Sequence, residues 1–316
     1  MEMDIIDVKE KPPLDSTPLT LVIGKFDGVH KGHQLILQVA REKMDSSQET
    51  LAVMGFSDQP LWVLRQDEAY EKKITPDRDK FTLLKQYGVG RYYRVAFTKE
   101  YAATTAEAFV KEHLAQLQVK RIVIGEGFRF GKGASSSTDA LIRLCTERNI
   151  EVVVVPLVKI NGTPISSTKI RGLLKEGLME AAQSLLGRPF TVTGIVVHGQ
   201  KMGRKLGFPT INMGEMEAFV EPKPGVYLGV VGIYKDGVIT DYRDVLISAG
   251  YRPSVNGQGY LIEAHILNYS GDLYDQTVSV SFLRYLREEI KFTNLDDLIE
   301  QMEQDRIQAE QLLATD

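Results

Sequence analysis

The chain has 316 residues, 43% apolar and 25% charged, with 38 Lys and Arg against 42 Asp and Glu and a net charge of −4. That balance fits a folded protein large enough for two cores and argues against a general nucleic-acid binder, while leaving room for a local basic phosphate pocket. One cysteine excludes an intrachain disulfide, and no apolar run reaches membrane-spanning length, so a reducing cytoplasm is the expected compartment.

The start, "MEMDIIDVKEKPP", is charged, ends in prolines and lacks the pattern of a signal peptide. Strands are then predicted at 19–23, 50–56, 92–97, 121–125 and 151–156, with helical patterns near 33–44, 76–87, 104–117 and 138–149. The helix at 104–117 has Thr104 or Thr105 as cap, then Glu107, with Phe109, Val110 and Leu114 on one stripe. Cys145, inside the helical run "TDALIRLCTERNI", reads as core packing. Val- and Ile-rich strands that alternate with helices imply an α/β, Rossmann-like domain with a parallel sheet covered on both faces. Such sheets bind ligands at the carboxyl ends of their strands.

Two stretches fall at such ends. In "GKFDGVHKGH" (24–33), Gly24, Gly28 and Gly32 permit tight turns or close approach, and a helix start near His33 offers free N–H groups to an anion. Phe26 and Asp27 belong to the same turn, and His30 and His33 are two of only five histidines in the chain. They suit phosphate contacts; a metal pair, or a turn with two solvent-facing imidazoles, are the other readings. In "ISSTKIR" (165–171), Ser166, Ser167 and Thr168 open a helix and Arg171 lies one turn in. Alone these hydroxyls are ordinary N-caps. Together the two stretches point to phosphate handling. The pair resembles the nucleotidylyltransferase superfamily, and in its longer form the adenylyltransferase half of bacterial bifunctional riboflavin kinase/FAD synthetases. That resemblance implies transfer of AMP from ATP to FMN. His30 and His33 would touch ATP phosphates, and Ser166, Thr168 and Arg171 would hold the leaving pyrophosphate. Phe128, in "GEGFRFG" (125–131), would meet the flavin.

The pattern changes near "LLGRPF" (185–190), which places the domain boundary between 186 and 187. Strands are predicted at 191–197, 225–234, 238–248, 260–269 and 277–286, with Asp236-Gly237 as a hairpin turn, giving an antiparallel barrel or sandwich. A last helix begins at Asn294, with Leu295, Leu298, Ile299 and Met302 as its apolar stripe. In "GRKLGFPTIN" (203–212), Gly203 and Gly207 loosen a loop made positive by Lys201, Arg204 and Lys205, and Pro209 fixes the chain before Thr210. If "TIN" is extended, Thr210 and Asn212 share one direction and could meet one hard cation such as Mg²⁺. In "LIEAHILNY" (261–269) alternation puts Ile262, Ala264 and Ile266 on one face and Glu263 and His265 on the other. Glu263 is either a solvent-facing strand residue or a general base.

Residues 187–306 resemble bacterial riboflavin kinases through "GRKLGFPTIN", "PGVY", "IEAHIL" and "LREEIKF". This implies a six-stranded barrel that moves the γ-phosphate of ATP to the 5′-hydroxyl of riboflavin. Gly203, Lys205, Gly207, Pro209 and Thr210 would bind the nucleotide, with Thr210 and Asn212 at Mg²⁺. Glu263 would take the hydroxyl proton, and Arg287 would lie near the flavin. The expected partners are riboflavin, FMN and ATP, with no nucleic-acid polymer and no membrane. The first half departs from its pattern: "GFSDQP" (55–60) lacks a proline–histidine–proline turn, "GEGFRFG" replaces a glycine–aspartate–phenylalanine motif, and "ASSSTD" (134–139) an arginine–glycine–aspartate stretch. A kinase with a weakly active or merely ligand-binding or self-associating first domain is therefore the alternative to a bifunctional enzyme.

Overall fold

The computed structural model describes residues 2–199, 208–254 and 257–315. By proximity of Cα atoms the chain divides into two compact units, Met1–Lys73 with Asp77–Ser167, and Ile74–Pro76 with Thr168–Asp316.

The first unit is built on six parallel strands: β1 (Asp4–Val8), β2 (Asp15–Ile23), β3 (Thr50–Phe56), β4 (Arg91–Val95), β5 (Leu117–Gly125) and β6 (Glu151–Val155). Their order is β1-β4-β3-β2-β5-β6. Alternate side chains enter two cores. Leu19, Leu21, Ile122 and Ile124 pack on one face, and Val22, Val53 and Val123 on the other, with Leu37 and Ala40 of α1 (Lys31–Lys43). Burial on both faces explains the apolar runs, as expected for a covered parallel sheet. The remaining helices of this unit are α2 (Pro60–Arg65), α3 (Asp77–Gln86), α4 (Lys99–Ala102), α5 (Ala106–Ala108) and α6 (Thr138–Thr146).

Some details differ from the sequence reading. The opening residues contain β1, an edge strand paired in parallel with β4 and tied to it by Arg91–Asp4 (3.1 Å) and Arg94–Asp7 (2.6 Å). The sequence reading placed no strand there, because those charges interrupt the apolar pattern. The 104–117 pattern is no continuous α-helix. Thr105 caps α5, whose N–H at Ala108 it accepts at 3.1 Å; a π turn follows at Phe109–His113, and a 3₁₀ turn at Leu114–Gln116 leads into β5. The widened turn buries Phe109, Val110 and His113 together.

A two-strand hairpin, β7 (Lys159–Ile160) and β8 (Thr163–Pro164), precedes α7 (Ser167–Glu176) and α8 (Met179–Leu186). The second unit then closes a barrel from β9 (Phe190–Val197), β10 (Thr210–Gly214), β11 (Gly225–Lys235), β12 (Val238–Ser254), β13 (Gly257–Ile266) and β14 (Thr277–Arg287). The circular order is β10-β13-β12-β11-β14-β9, all pairs antiparallel. Asp236 (φ 52) and Gly237 (φ 78) form the expected turn between β11 and β12. Ile247, Ile262, Ala264, Val280 and Phe282 are buried on the inner face. Asn294 caps α9 (Leu295–Leu313) by accepting from the Asp297 N–H at 2.8 Å. The expected stripe is displaced: Leu295 is 50% exposed, and α9 meets the barrel through Ala309, Leu312 and Leu313, which join Val226, Leu228, Leu246 and Leu267. An acidic residue, Asp305, sits in that contact, which hid it from a hydrophobicity pattern.

Candidate active sites

The turn after β2 lies at the carboxyl edge of the sheet. Phe26 (φ 53), Gly28 (φ 87) and Val29 (φ 39) are all left-handed, and Phe26 and Val29 are buried. A buried β-branched residue in that region is held there only by its surroundings. The chain so bent presents His30 as the cap of α1: its Nδ1 accepts the His33 N–H in a long 3.4 Å bond. The neutral His30 ring then carries its proton on Nε2. The helix therefore starts two residues earlier than the sequence reading placed it. The two imidazoles stack at 3.7 Å, and the Phe26 ring lies 4.7 Å from His33. His30 is 6% exposed, so the reading with two solvent-facing histidines does not hold.

The glycines serve this arrangement. A Cβ on Gly32 would lie 3.2 Å from the His30 ring, and one on Gly24 would lie 3.0 Å from the Phe26 ring. Both make room for rings of the chain itself. Asp27 is buried, and its carbonyl accepts the Ser167 hydroxyl at 2.8 Å. That bond brings Ser167 to the histidine turn. Ser166 is exposed; Thr168, exposed, and Arg171, buried, fall in the second unit on the first turns of α7.

In the barrel, β10 and β13 pair Thr210 with His265, Ile211 with Ala264 and Asn212 with Glu263. Cross-strand partners share a face, and alternate residues along a strand do too. Ile262 and Ala264 are buried inside, so Thr210, Asn212, Glu263 and His265 form a quartet on the outer face. A Cβ on Gly199 would fall 2.3 Å from the Asn212 amide nitrogen, so a bare backbone closes over that side chain. His265 Nδ1 lies 2.9 Å from the Pro209 carbonyl. A cavity of about 260 Å³ opens beside Thr210, lined also by Pro209, Ile266, Tyr269, Leu273 and Tyr274. Gly203, Lys205 and Gly207 of the expected basic loop, with Lys201 and Arg204, lie outside the described residues.

Family models match both parts of the chain: FAD synthetase over residues 13–169 and riboflavin kinase over 186–313. The bifunctional riboflavin kinase/FMN adenylyltransferase of Escherichia coli K12 is 34% identical over 291 residues, covering 92% of this chain and 91% of that protein. The chain belongs to the bifunctional riboflavin kinase/FMN adenylyltransferase family. An FAD synthetase of Listeria monocytogenes is 40% identical over 231 residues, 73% of this chain and 89% of its own. A crystal structure described as a macrolide-efflux protein from Streptococcus pneumoniae matches with a TM-score of 0.87 at 29% identity, covering 98% of this chain and 99% of that one. Among the described residues no helix is long and apolar enough to cross a membrane. Membership assigns this chain both the kinase and the adenylyltransferase activity, and disfavours a first domain that only binds ligand.

Other residues of the family pattern find different neighbours. Arg287, expected at the flavin, makes a fork with Asp305, Nε to Oδ1 at 2.7 Å and Nη2 to Oδ2 at 2.6 Å, while Nη1 donates to the Glu288 carbonyl at 2.9 Å. Gln301 also donates to Asp305, at 3.0 Å. The guanidinium thus ties the end of β14 to α9. Phe128 is half-buried and stacks on Phe130 at 5.8 Å. It ends an aromatic series that sequence reading missed: Phe97 to Phe56 (4.8 Å), Phe56 to Tyr101 (6.1 Å), Tyr101 to His113 (5.4 Å), His113 to Phe109 (6.0 Å) and Phe109 to Phe130 (5.9 Å). Burial pushes the Tyr101 hydroxyl up to about 12 and lowers the His113 imidazole, keeping both neutral. The available signal was an aromatic just after, or at the end of, three successive strands: "GF", "VAF" and "GFRF". At the altered motif, the Glu126 carboxylate accepts the Leu157 N–H at 3.2 Å. Among the described residues, no group of three or more His, Cys, Asp and Glu is arranged to hold a metal ion.

Proposed function

We propose that residues 187–316 phosphorylate riboflavin and residues 1–186 adenylylate the FMN so formed. In the first reaction the Glu263 carboxylate takes the proton of the 5′-hydroxyl. The hydroxyl oxygen then bonds to the γ-phosphorus of ATP as ADP leaves. Thr210 and Asn212 offer a hydroxyl and an amide oxygen on the same outer face, a hard donor pair suited to Mg²⁺, with ATP phosphates to complete the shell. The cation supplies charge neutralisation at the transferring phosphate. The outer-face quartet supports this reading most strongly, because it places the proposed base directly across the strand pair from a proposed cation ligand.

In the second reaction an FMN phosphate oxygen attacks the α-phosphorus of ATP and pyrophosphate leaves. His30 and His33 stabilise the phosphate charge, and Ser166, Ser167, Thr168 and Arg171 hold the leaving end. Gly24, Phe26, Asp27, Gly28 and Gly32 shape the turn that carries the histidines. The aromatic series that ends at Phe128 offers flat apolar surface to the flavin ring. In the kinase half, Gly203, Lys205, Gly207 and Pro209 bind the nucleotide, and Arg287 contributes to the flavin site. The enzyme works in the cytoplasm on small molecules. Incubation with riboflavin, ATP and Mg²⁺, with FMN and FAD resolved over time, tests the whole: FMN should rise first and FAD follow. FMN without FAD would leave only the kinase.

A further inference from the structure

The quartet's fourth member, His265, has a task of its own. β10 is held by short ladders on each side, and they are staggered. Against β13 the pairs are Thr210 to Asn212; against β9 they are Asn212 to Gly214. Asn212 is therefore fixed from both sides. Among the described residues Thr210 is paired on one side only, opposite His265. The preceding residue, Pro209, has no N–H to give. Its carbonyl lies 2.9 Å from His265 Nδ1. A carbonyl only accepts, so Nδ1 must carry the proton. The Phe208 ring meets the imidazole edge-on at 5.4 Å. One side chain thus grips two residues, Phe208 and Pro209, and its strand partner is the third, Thr210.

We propose that His265 is a positioning residue for the kinase: it fixes the backbone at Pro209 so that the Thr210 hydroxyl meets Mg·ATP. The inference rests on the reading of Thr210 as a nucleotide–cation ligand. Groups that orient a ligand for a metal typically matter by about ten- to a hundredfold in affinity or activity. A hydroxyl misplaced by a fraction of an ångström loses its contact, while the carboxylate of Glu263 stays where it was.

The test uses the full-length protein and three variants. His265→Ala should raise KM for Mg·ATP in FMN formation by roughly tenfold or more, with KM for riboflavin and the rate of FAD formation from FMN unchanged. His265→Asn, whose Nδ2 is placed much like Nδ1, should restore most of the loss. Thr210→Val should raise the same KM, and the double variant with His265→Ala should be no worse than Thr210→Val alone, because the histidine acts through the threonine. A normal KM in Thr210→Val would overturn the reading of Thr210. A raised KM in Thr210→Val beside a normal one in His265→Ala would overturn the role of His265 alone. If His265→Ala instead lowers the thermal midpoint and raises both KM values, and His265→Asn rescues neither, the histidine is only a structural strut.

Discussion

Asn212 and Glu263 stand opposite one another on β10 and β13, on the outer face of the barrel. Neighbouring antiparallel strands bring such partners within about 5.5 Å at Cβ. The proposed base and a proposed cation ligand are thus set side by side by backbone pairing alone, without a loop between them.

Glu263→Gln keeps the shape and the strand pairing but removes the proposed base. We expect riboflavin binding and thermal stability close to wild type, with FMN formation slower by about two orders of magnitude or more. FAD formation from FMN should be unaffected. Stopped-flow or steady-state assays with each substrate separate these outcomes, and near-normal FMN turnover would reduce Glu263 to an ordinary strand residue.

Replacing His30 and His33 together by alanine should abolish FAD formation and spare FMN formation. Loss of one charge-stabilising donor costs about 3 kcal/mol, on the order of a hundredfold in rate. His30→Ala alone also removes the cap of α1, which should cost about 1 kcal/mol of stability. His33→Ala should not carry that second effect. Paired unfolding and activity measurements on the two single variants would show it.

The helices before the barrel pack on it. α8 lies against β14 and β9, Glu180 pairs with Arg284 at 3.0 Å, and the Lys223 N–H donates to the Leu174 carbonyl at 2.9 Å. A fragment of residues 168–316 should therefore be more stable than one of 187–316, while both form FMN. Burial of Met179, Ala182, Leu185 and Leu186 in α8 makes several kcal/mol a reasonable difference. Equal denaturation midpoints would contradict it, and a folded fragment of either length that makes no FMN would move the activity elsewhere.

Acid should weaken the first unit over a defined window. Burial would raise the Asp15 carboxyl, yet hydrogen bonds from Tyr93, Thr17 and Arg91 outweigh it and hold the group at about 2, below its ordinary 3.8. A depressed carboxyl stabilises the fold above the unfolded value, and that contribution fades as pH falls through the folded one. We expect stability lost between about pH 4 and pH 2 to be reduced in Asp15→Asn. Chemical denaturation across that range checks it; parallel curves for the two proteins would remove Asp15 from the account.

Much of the fold and of both sites was legible because it depends on local rules. Alternation of Leu and Val along β2 and β5 announced a sheet buried on both faces, and "IEAHIL" sorted its residues inside and outside before any partner strand was known. Asp236-Gly237 needed only the left-handed preference of its residues. What could not be read was set by partners distant in sequence. β1 hides its edge pairing beneath charges that Arg91 and Arg94 neutralise from β4. That the Phe26 and His30 rings lie against Gly24 and Gly32 shows only in the folded turn. The fork between Arg287 and Asp305 joins distant residues and was equally hidden, and the same aspartate conceals where α9 touches the barrel. The sequence by itself determined which residues alternate, cap and turn, since those preferences act within a few positions of the backbone. Only the tertiary structure decided the register that sets Asn212 before Glu263 and His265 beside Thr210, because strand pairing joins residues some fifty positions apart through contacts that no local pattern encodes.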